Sequence, residues 1–476
     1  MAELEQTEAP VAHRRSAQVA LLVAAAFFME NLDGTVIATA LPQMALSFHA
    51  SPVDLNMGMT AYMLTLAVFI PVSGWMADRL GARTIFSFAI GLFTVASILC
   101  GFSNSLAQFT AARILQGMGG AMMVPVGRLV VLRITEKKDL LRSMSVIIWP
   151  GLVAPVLGPP LGGFITTYSS WRWIFYLNLP LGIIALGLAL WWITNERESN
   201  TRTFDWLGFA LAGTCCVAFM YSLELMGRRD FQWPVVGLFL GYSVVAGWWA
   251  VRHMRRAVHP LIDFAVLRIQ TFAVAVWGGS LFRIAIMASP FLLPLLFQVA
   301  FGMNAFQSGL LVLTMFAGNL MMKTATTPLL RKFGFRKVLV TNGVISGVLI
   351  AGCGFLIPQT PRLAIIILLF LHGLSRSMQF TSVNTLAFAD IPKPLISSAT
   401  SFAAVVQQMG MGMGVAVGAV MLRAAAWMRG EHSGVLSLMD FHIAFWMVGI
   451  LALLAVIDCF ALPAHAGAEV SGHAVA

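Results

Sequence analysis

Apolar residues along the chain fall into fourteen runs separated by short polar interruptions: 18–41, 57–77, 84–103, 107–133, 143–167, 173–194, 205–226, 234–252, 271–299, 305–330, 337–357, 362–388, 396–424 and 441–461. Each is close to or above the ~20 residues with which an α-helix crosses the hydrocarbon of a bilayer. Several contain Pro or Gly, which membrane helices tolerate because neighbouring helices re-satisfy the freed backbone groups. The pattern predicts an all-α membrane protein with fourteen crossings. The first run is long and has no small-residue cleavage site behind a short apolar stretch, so it is expected to be a retained span rather than a leader.

The polar interruptions differ in charge. On one side fall Arg14, Arg15, Arg79, Arg83, Arg133, Lys137, Lys138, Arg142, Arg197, Arg202, Arg252, Arg255, Arg256, Arg268, Arg331, Lys332, Arg336, Lys337 and Lys393, nineteen in all, against Arg172, Arg228, Arg229, Arg362, Arg423 and Arg429 on the other. Basic loops stay in the cytoplasm, so both termini are expected there, in agreement with an even number of spans. Composition then adds one exclusion. Hydrophobic residues make up 59% of 476 and charged residues 11%, with a mean hydropathy of +0.84, too apolar for a soluble exterior. The net charge of +10 is spread over the loops rather than gathered on a soluble stretch, which argues against a nucleic-acid partner. Cys100, Cys215, Cys216, Cys353 and Cys459 lie within apolar runs, with neither a disulfide framework nor a metal spacing. The chain has no GxxxxGK[ST] loop for ATP, no HExxH and no nucleophile elbow, so no cofactor, metal or catalytic residue is expected.

Two interruptions echo each other. GWMADRLGARTIF (74–86) and TPLLRKFGFRKVL (327–339) align so that Arg79 matches Lys332, Gly81 matches Gly334 and Arg83 matches Arg336, each pair 253 apart. Both are short basic links with a central Gly, the residue a tight turn at positive φ favours. The echo predicts two parallel six-helix halves, 18–194 and 261–461, flanking an inserted pair of helices in 195–260, with tails at 1–17 and 462–476. Transporters of two six-helix halves bind their substrate near the midplane, between the halves.

These residues also resemble a known family. GWMADRLGAR resembles the loop signature G-x-x-x-D-R-x-G-R-R/K of the major facilitator superfamily; it keeps Gly74, Asp78, Arg79, Gly81 and Arg83, with Ala82 in place of a basic residue. RILQGMGGA (113–121) is similar to that superfamily's fourth-span motif with its intramembrane Arg113, and APVLGPPLGG (154–163) to its antiporter motif, with Ala154 where Gly is usual. LDGTVIATALP (32–42), with Ala38 in place of Asn, and WRWIFYLNLPLG (171–182) resemble two signatures of the fourteen-span drug:proton antiporter branch. The resemblance spans essentially the whole chain. It implies an exporter in the bacterial inner membrane, multi-pass, driven by the proton gradient, and a proton-coupling role for Asp33.

The candidate site residues follow from the cost of charge in lipid. Glu30 and Asp33 lie one helical turn apart inside the first run, where ionisable groups are expensive and mark pathways. With ~1.5 Å rise per residue, Asp33 lies roughly 12 Å and Arg113 roughly 9 Å from the outer ends of their runs, so the two could meet. A carboxylate that pairs with Arg when ionised and takes a proton when desolvated has two states to alternate between. The competing reading is a fixed Asp33–Arg113 ion pair that only holds the bundle. Arg283 and Arg376 sit mid-run and need a wet cavity or a partner, whereas Arg128 and Lys323 can snorkel to the interface. Asn31, Tyr62, Gln116, Gln379 and Gln407 could line the substrate cavity or bond between helices. Pro155, Gly158, Pro159, Gly162 and Gly163 suit a close-packed seam that gates the halves, or ordinary small-residue packing. Asp78 and Arg79, with Gly74, Gly81 and Arg83, read as a charge latch or as a solvated turn.

The function expected is proton-coupled antiport of drugs or amphipathic small molecules by alternating access. An exporter of an anionic metabolite, such as a small organic acid held by Arg113, Arg283 and Arg376, is the alternative, and a non-transporting membrane sensor a third. The partners expected are the bilayer, protons and a small-molecule substrate, with the chain as a monomer.

Overall fold

The structure is a computed structural model, and it describes residues 2–135, 140–195, 203–227, 232–257, 260–392, 395–430, 436–463 and 466–471. Of the basic loop residues above, Lys137, Lys138, Arg197, Arg202, Arg228, Arg229 and Lys393 lie outside the described residues. The described chain is helical throughout and contains no strand. The first group of helices is α1 (Ala2–Phe48), α2 (Asn56–Leu80), α3 (Ala82–Phe102), α4 (Leu106–Ile134), α5 (Leu140–Tyr168), α6 (Trp173–Tyr176) and α7 (Asn178–Trp192). A pair follows, α8 (Trp206–Gly227) and α9 (Trp233–Met254). The last group is α10 (Gln270–Leu295), α11 (Ala305–Cys353), α12 (Arg362–Ala387), α13 (Ile396–Met428) and α14 (Leu438–Leu454).

Twelve of the described helices are long and apolar enough to cross a membrane, against fourteen runs expected. The difference lies in two places. The runs 305–330 and 337–357 are joined in the 49-residue α11, which bends at Gly334 (φ 73°, ψ 163°). The run 143–167 forms the 29-residue α5, which holds four prolines and is not among the twelve. The expected tail at 1–17 is helical and continuous with α1, whose membrane-crossing part begins at Ala17.

Local chemistry sets the helix ends. Ser105 Oγ accepts from Gln108 N (3.3 Å) to start α4, and Asn304 Oδ1 accepts from Gln307 N (2.8 Å) to start α11. Asp440, fully buried in the first turn of α14, accepts from Ser437 N (2.7 Å) and holds both arms of Arg429 (2.6 and 2.8 Å). Past Pro290 and Pro294, α10 ends in a π-helical turn, Leu296–Ala300, which aims Gln298 at the carbonyl of Thr39 in α1 (3.1 Å). Gly81 between α2 and α3 has φ 97°, so the central glycines of both echo loops sit at positive φ.

The first and last groups meet along α2 and α13, where Gly412 lies against Met63 and Leu64, and again where α5 meets α11 at the end away from the basic loops. There α5 is gripped on two faces. Carbons placed at Gly158 and Gly162 would press on Thr35 and Thr39 of α1, while Gly163 lies against Ala305 and Phe306 of α11 and Gly309 against Pro159 and Pro160. Thr167 Oγ1 accepts from Phe306 N (3.0 Å) at the same junction. Of the small residues of 154–163, Pro159, Pro160 and Gly163 therefore meet the last group, while Gly158 and Gly162 pack on α1 of their own group. Helix α8 touches both: Asn56 Nδ2 of α2 donates to Glu224 Oε2 (2.9 Å), and Arg423 Nε of α13 donates to Gly227 O (3.4 Å). Glu224 is buried, with Asn56 opposite as a donor.

Candidate functional site

Two intramembrane charges of the first group, Asp33 and Arg113, meet in one network. Asp33 Oδ2 lies 2.6 Å from Arg113 Nη1, and both side chains are almost wholly buried. Oδ1 of Asp33 accepts from Gln116 Nε2 (2.9 Å) and from Asn178 Nδ2 (3.0 Å). Both amides also donate to Ser97 Oγ (2.8 and 3.2 Å). Arg113 spends a second bond on Gln116 Oε1 (2.6 Å) and a weak third on Gly58 O (3.4 Å), and its guanidinium stacks on the Tyr62 ring at 4.1 Å. Helices α1, α3, α4 and α7 thus pin one carboxylate. Ionised, it is fully satisfied, as a buried charge must be.

One turn away on α1, Glu30 contrasts with this. It is half-buried, and its Oε2 has no hydrogen-bond partner among the described residues. The buried hydroxyl of Tyr62 is likewise unpartnered, and a carbon at Gly120 would touch both it (3.2 Å) and the Glu30 carboxyl (3.6 Å). Nothing lies within 4 Å of a carbon placed at Gly34, so this flank of α1 is open. Asn31 stands on the same stretch, half-buried, its amide turned back to Phe27 O (2.8 Å). Arg128 is exposed and lies 5.4 Å over the Phe27 ring.

The cations of the last group stand apart from this network. Arg283 on α10 donates to Asn384 Oδ1 (2.8 Å) and Ala275 O (3.2 Å), and its Nε is unpartnered. Arg376 on α12 reaches Met287 Sδ (3.5 Å) and covers Phe316 at 5.3 Å, leaving Nη1 empty. Among the described residues neither forms an ion pair. Gln379 is buried with its amide spent on α11, donating to Leu339 O (3.0 Å) and accepting from Asn342 (2.9 Å), which is the bonding between helices rather than a cavity wall. Gln407 is half-buried on α13. Lys323 donates to Thr381 Oγ1 (2.7 Å).

At the basic loops, Asp78 pairs with Arg133 at the end of α4 (2.7 Å), Arg79 lies 5.4 Å over Trp75, and Arg83 is half-buried at the start of α3. Asn195 bridges to Thr84 (3.0 Å) across Gly81. Gly74 faces open space. A half-exposed pair is worth about 0–1 kcal/mol. Asp78→Ala is therefore expected to slow transport no more than about fivefold, the factor that such an energy sets, and to leave the substrate range unchanged. Transport rates for a panel of substrates check this; an altered range at full rate contradicts it.

Sequence reasoning missed Asn178 and Ser97. Asn178 sits inside the quoted stretch WRWIFYLNLPLG as a lone amide in an apolar run, which was a usable signal. Ser97 carried none, since its hydroxyl also donates to Phe93 O (2.8 Å) four residues back, as any helical serine can.

Crossing helices bound into two groups, a saturated intramembrane ion pair and an open carboxyl beside it are the make-up of a membrane transporter. The chain belongs to the Major Facilitator Superfamily, whose family model matches residues 23–415 and 275–470. It is 36% identical to MdtD of Pectobacterium atrosepticum over 84% of this chain and 86% of that one, and 36% identical to MdtD of Cronobacter sakazakii over 94% and 93%; both relatives are named for multidrug resistance. Among solved structures it resembles a D-xylose-proton symporter (TM-score 0.68, 13% identity, 94% and 98% of the two chains). It also resembles a bacterial homologue of the lysosomal transporter Spinster in an inward-facing form (TM-score 0.68, 13% identity, 96% and 98%). The chain is a multi-pass membrane transporter, not an enzyme.

Proposed function

We propose that the protein is a proton-coupled antiporter that exports drugs or other amphipathic small molecules by alternating access. It would lie in the bacterial inner membrane with fourteen crossings and cytoplasmic termini: two six-helix halves, 18–194 and 261–461, around the inserted pair. The bend of α11 at Gly334 and the length of α5 support that count. The pairing of α5 with α11 supports a structure closed on the outer side.

The observation that carries the coupling is the unequal treatment of the two carboxyls on α1. Asp33 has every oxygen occupied and its cation in place, so it serves as the anchor that orients Arg113 and Gln116. Glu30 has an empty oxygen at the edge of an open flank. A buried carboxyl oxygen without a donor costs free energy until a proton or the cationic group of a cargo fills it. Proton and cargo then compete for Glu30, which is the coupling an exchanger requires, because a ligand shifts a conformational equilibrium only through differential contacts.

Proteoliposomes with an imposed pH gradient test this. Wild-type protein is expected to move lipophilic cations against the gradient, and Glu30→Gln to lose gradient-driven export while still inserting and binding. Full gradient-driven export by Glu30→Gln contradicts the assignment. That Arg283 and Arg376 have no carboxylate partner among the described residues favours a second reading, export of an organic acid, and organic acids are the second arm of the same assay.

A further inference from the structure

We propose that the cleft between the end of α9 and the short 3-10 helix Phe264–Arg268 binds the headgroup of an anionic phospholipid. The cleft encloses about 750 Å³, the size of a small-molecule site, and its walls include Met254, Arg255, Pro260, Asp263, Phe264 and Arg268. Arg255 and Arg268 come from opposite sides of the joint, are exposed, and form no ion pair among the described residues. Asp263 is the one acid in the wall, and its Oδ1 already accepts from Ala265 N (2.9 Å) to cap the short helix. Two guanidinium groups against one carboxylate leave the cleft positive. Guanidinium groups bind phosphate oxygens in bidentate pairs.

The cleft is built before any ligand arrives. Asp205, just ahead of α8, accepts from Gly208 N (2.8 Å) and Leu261 N (3.3 Å) and lies 2.7 Å from His253 Nε2. That fixes the end of α9 against the linker forming the far wall. Phe264 packs edge-on to Phe402 of α13 (5.8 Å), so the other wall belongs to the last helix group. A bound headgroup would therefore tie the inserted pair to that group.

Phosphate chemistry is common to a lipid headgroup and to free phosphate; the depth and walls of the cleft point to lipid. Trp248 and Trp249, both exposed, lie seven and six residues before Arg255 at the end of α9, roughly 9–10 Å along the axis at ~1.5 Å per residue. Exposed tryptophans mark the membrane–water interface, which puts the arginines at headgroup level. Met254, Pro260 and Phe264 offer an apolar wall to the glycerol and first acyl carbons, which free phosphate has no use for.

The test uses the purified full chain in neutral detergent, with thermal unfolding and native mass spectrometry as readouts. Phosphatidylglycerol is expected to bind and raise the unfolding temperature, and phosphatidylcholine and inorganic phosphate are expected to do neither. Arg255→Gln with Arg268→Gln should weaken phosphatidylglycerol binding roughly thirtyfold, from ~1 kcal/mol per basic residue at an anionic surface. Arg255→Lys with Arg268→Lys should keep most of it. Equal binding of phosphatidylglycerol to the double-Gln variant overturns the site. Equal stabilisation of the wild type by phosphatidylcholine overturns the charge argument, and equal stabilisation by phosphate overturns the lipid source. Those wild-type comparisons decide even where the variant fails to fold. Transport is not measured, so the outcome is independent of the antiport reading.

Discussion

Arg113→Leu is expected to destabilise the protein by roughly 3–5 kcal/mol, the cost of leaving a buried charge without its partner. The Asp33 carboxylate would keep two amide donors, Gln116 and Asn178, but lose its paired cation, 2.6 Å away. Gln116 Oε1 would lose its donor too (2.6 Å), as would the face of Tyr62. Arg113→Lys should recover only part of this, since an ammonium is a point charge and cannot hold Asp33, Gln116 and the ring together. The double variant Asp33→Leu with Arg113→Leu should be more stable than Arg113→Leu alone, because removing both charges removes the desolvation penalty. Thermal unfolding of the purified proteins, followed by tryptophan fluorescence, reads all three. A single Arg113→Leu variant with wild-type stability would mean that the network carries no load.

The second large effect belongs to the seam. Gly163→Val and Gly309→Val are expected to abolish export while the protein still inserts. A carbon at Gly163 would lie 2.8 Å from backbone atoms of Ala305 and Phe306, and one at Gly309 within 2.8 Å of the Pro159 carbonyl carbon. Backbone cannot swing aside as a side chain can, so α5 and α11 must separate. Overpacking of this kind costs roughly 1–3 kcal/mol, which shifts a two-state population about 5- to 150-fold. The state closed at the seam is the one penalised, and cargo would leak back through it. Gly74→Ala is the matched control, because nothing lies within 4 Å of the added carbon. Labelling of cysteines placed at the end away from the basic loops reports the opening; unchanged labelling with full export would deny the seam its gating role.

The comparison of sequence with structure divides by type of interaction. Apolar runs announced their helices, because each must satisfy its own backbone in lipid. The glycines of the echo loops announced positive φ at Gly81 and Gly334, and the depths of Asp33 and Arg113 let the pair be anticipated. Partners from remote parts of the chain were not legible. Asn178 and Ser97 meet Asp33 only once α3 and α7 pack, and Glu224 finds Asn56 across 168 residues. The unequal surroundings of the two carboxyls were also hidden. Glu30 and Asp33 look alike along a helix, and the motif favoured Asp33. Only the packing shows that Asp33 has its donors and Glu30 does not.

The most direct measurement counts protons released when a transported compound binds the purified protein in weakly buffered detergent solution. Wild-type protein and Asp33→Asn are expected to release a proton as cargo takes its place on Glu30, and Glu30→Gln to bind cargo without releasing one. Undiminished release from Glu30→Gln would contradict the claim that this carboxyl is where proton and cargo exchange.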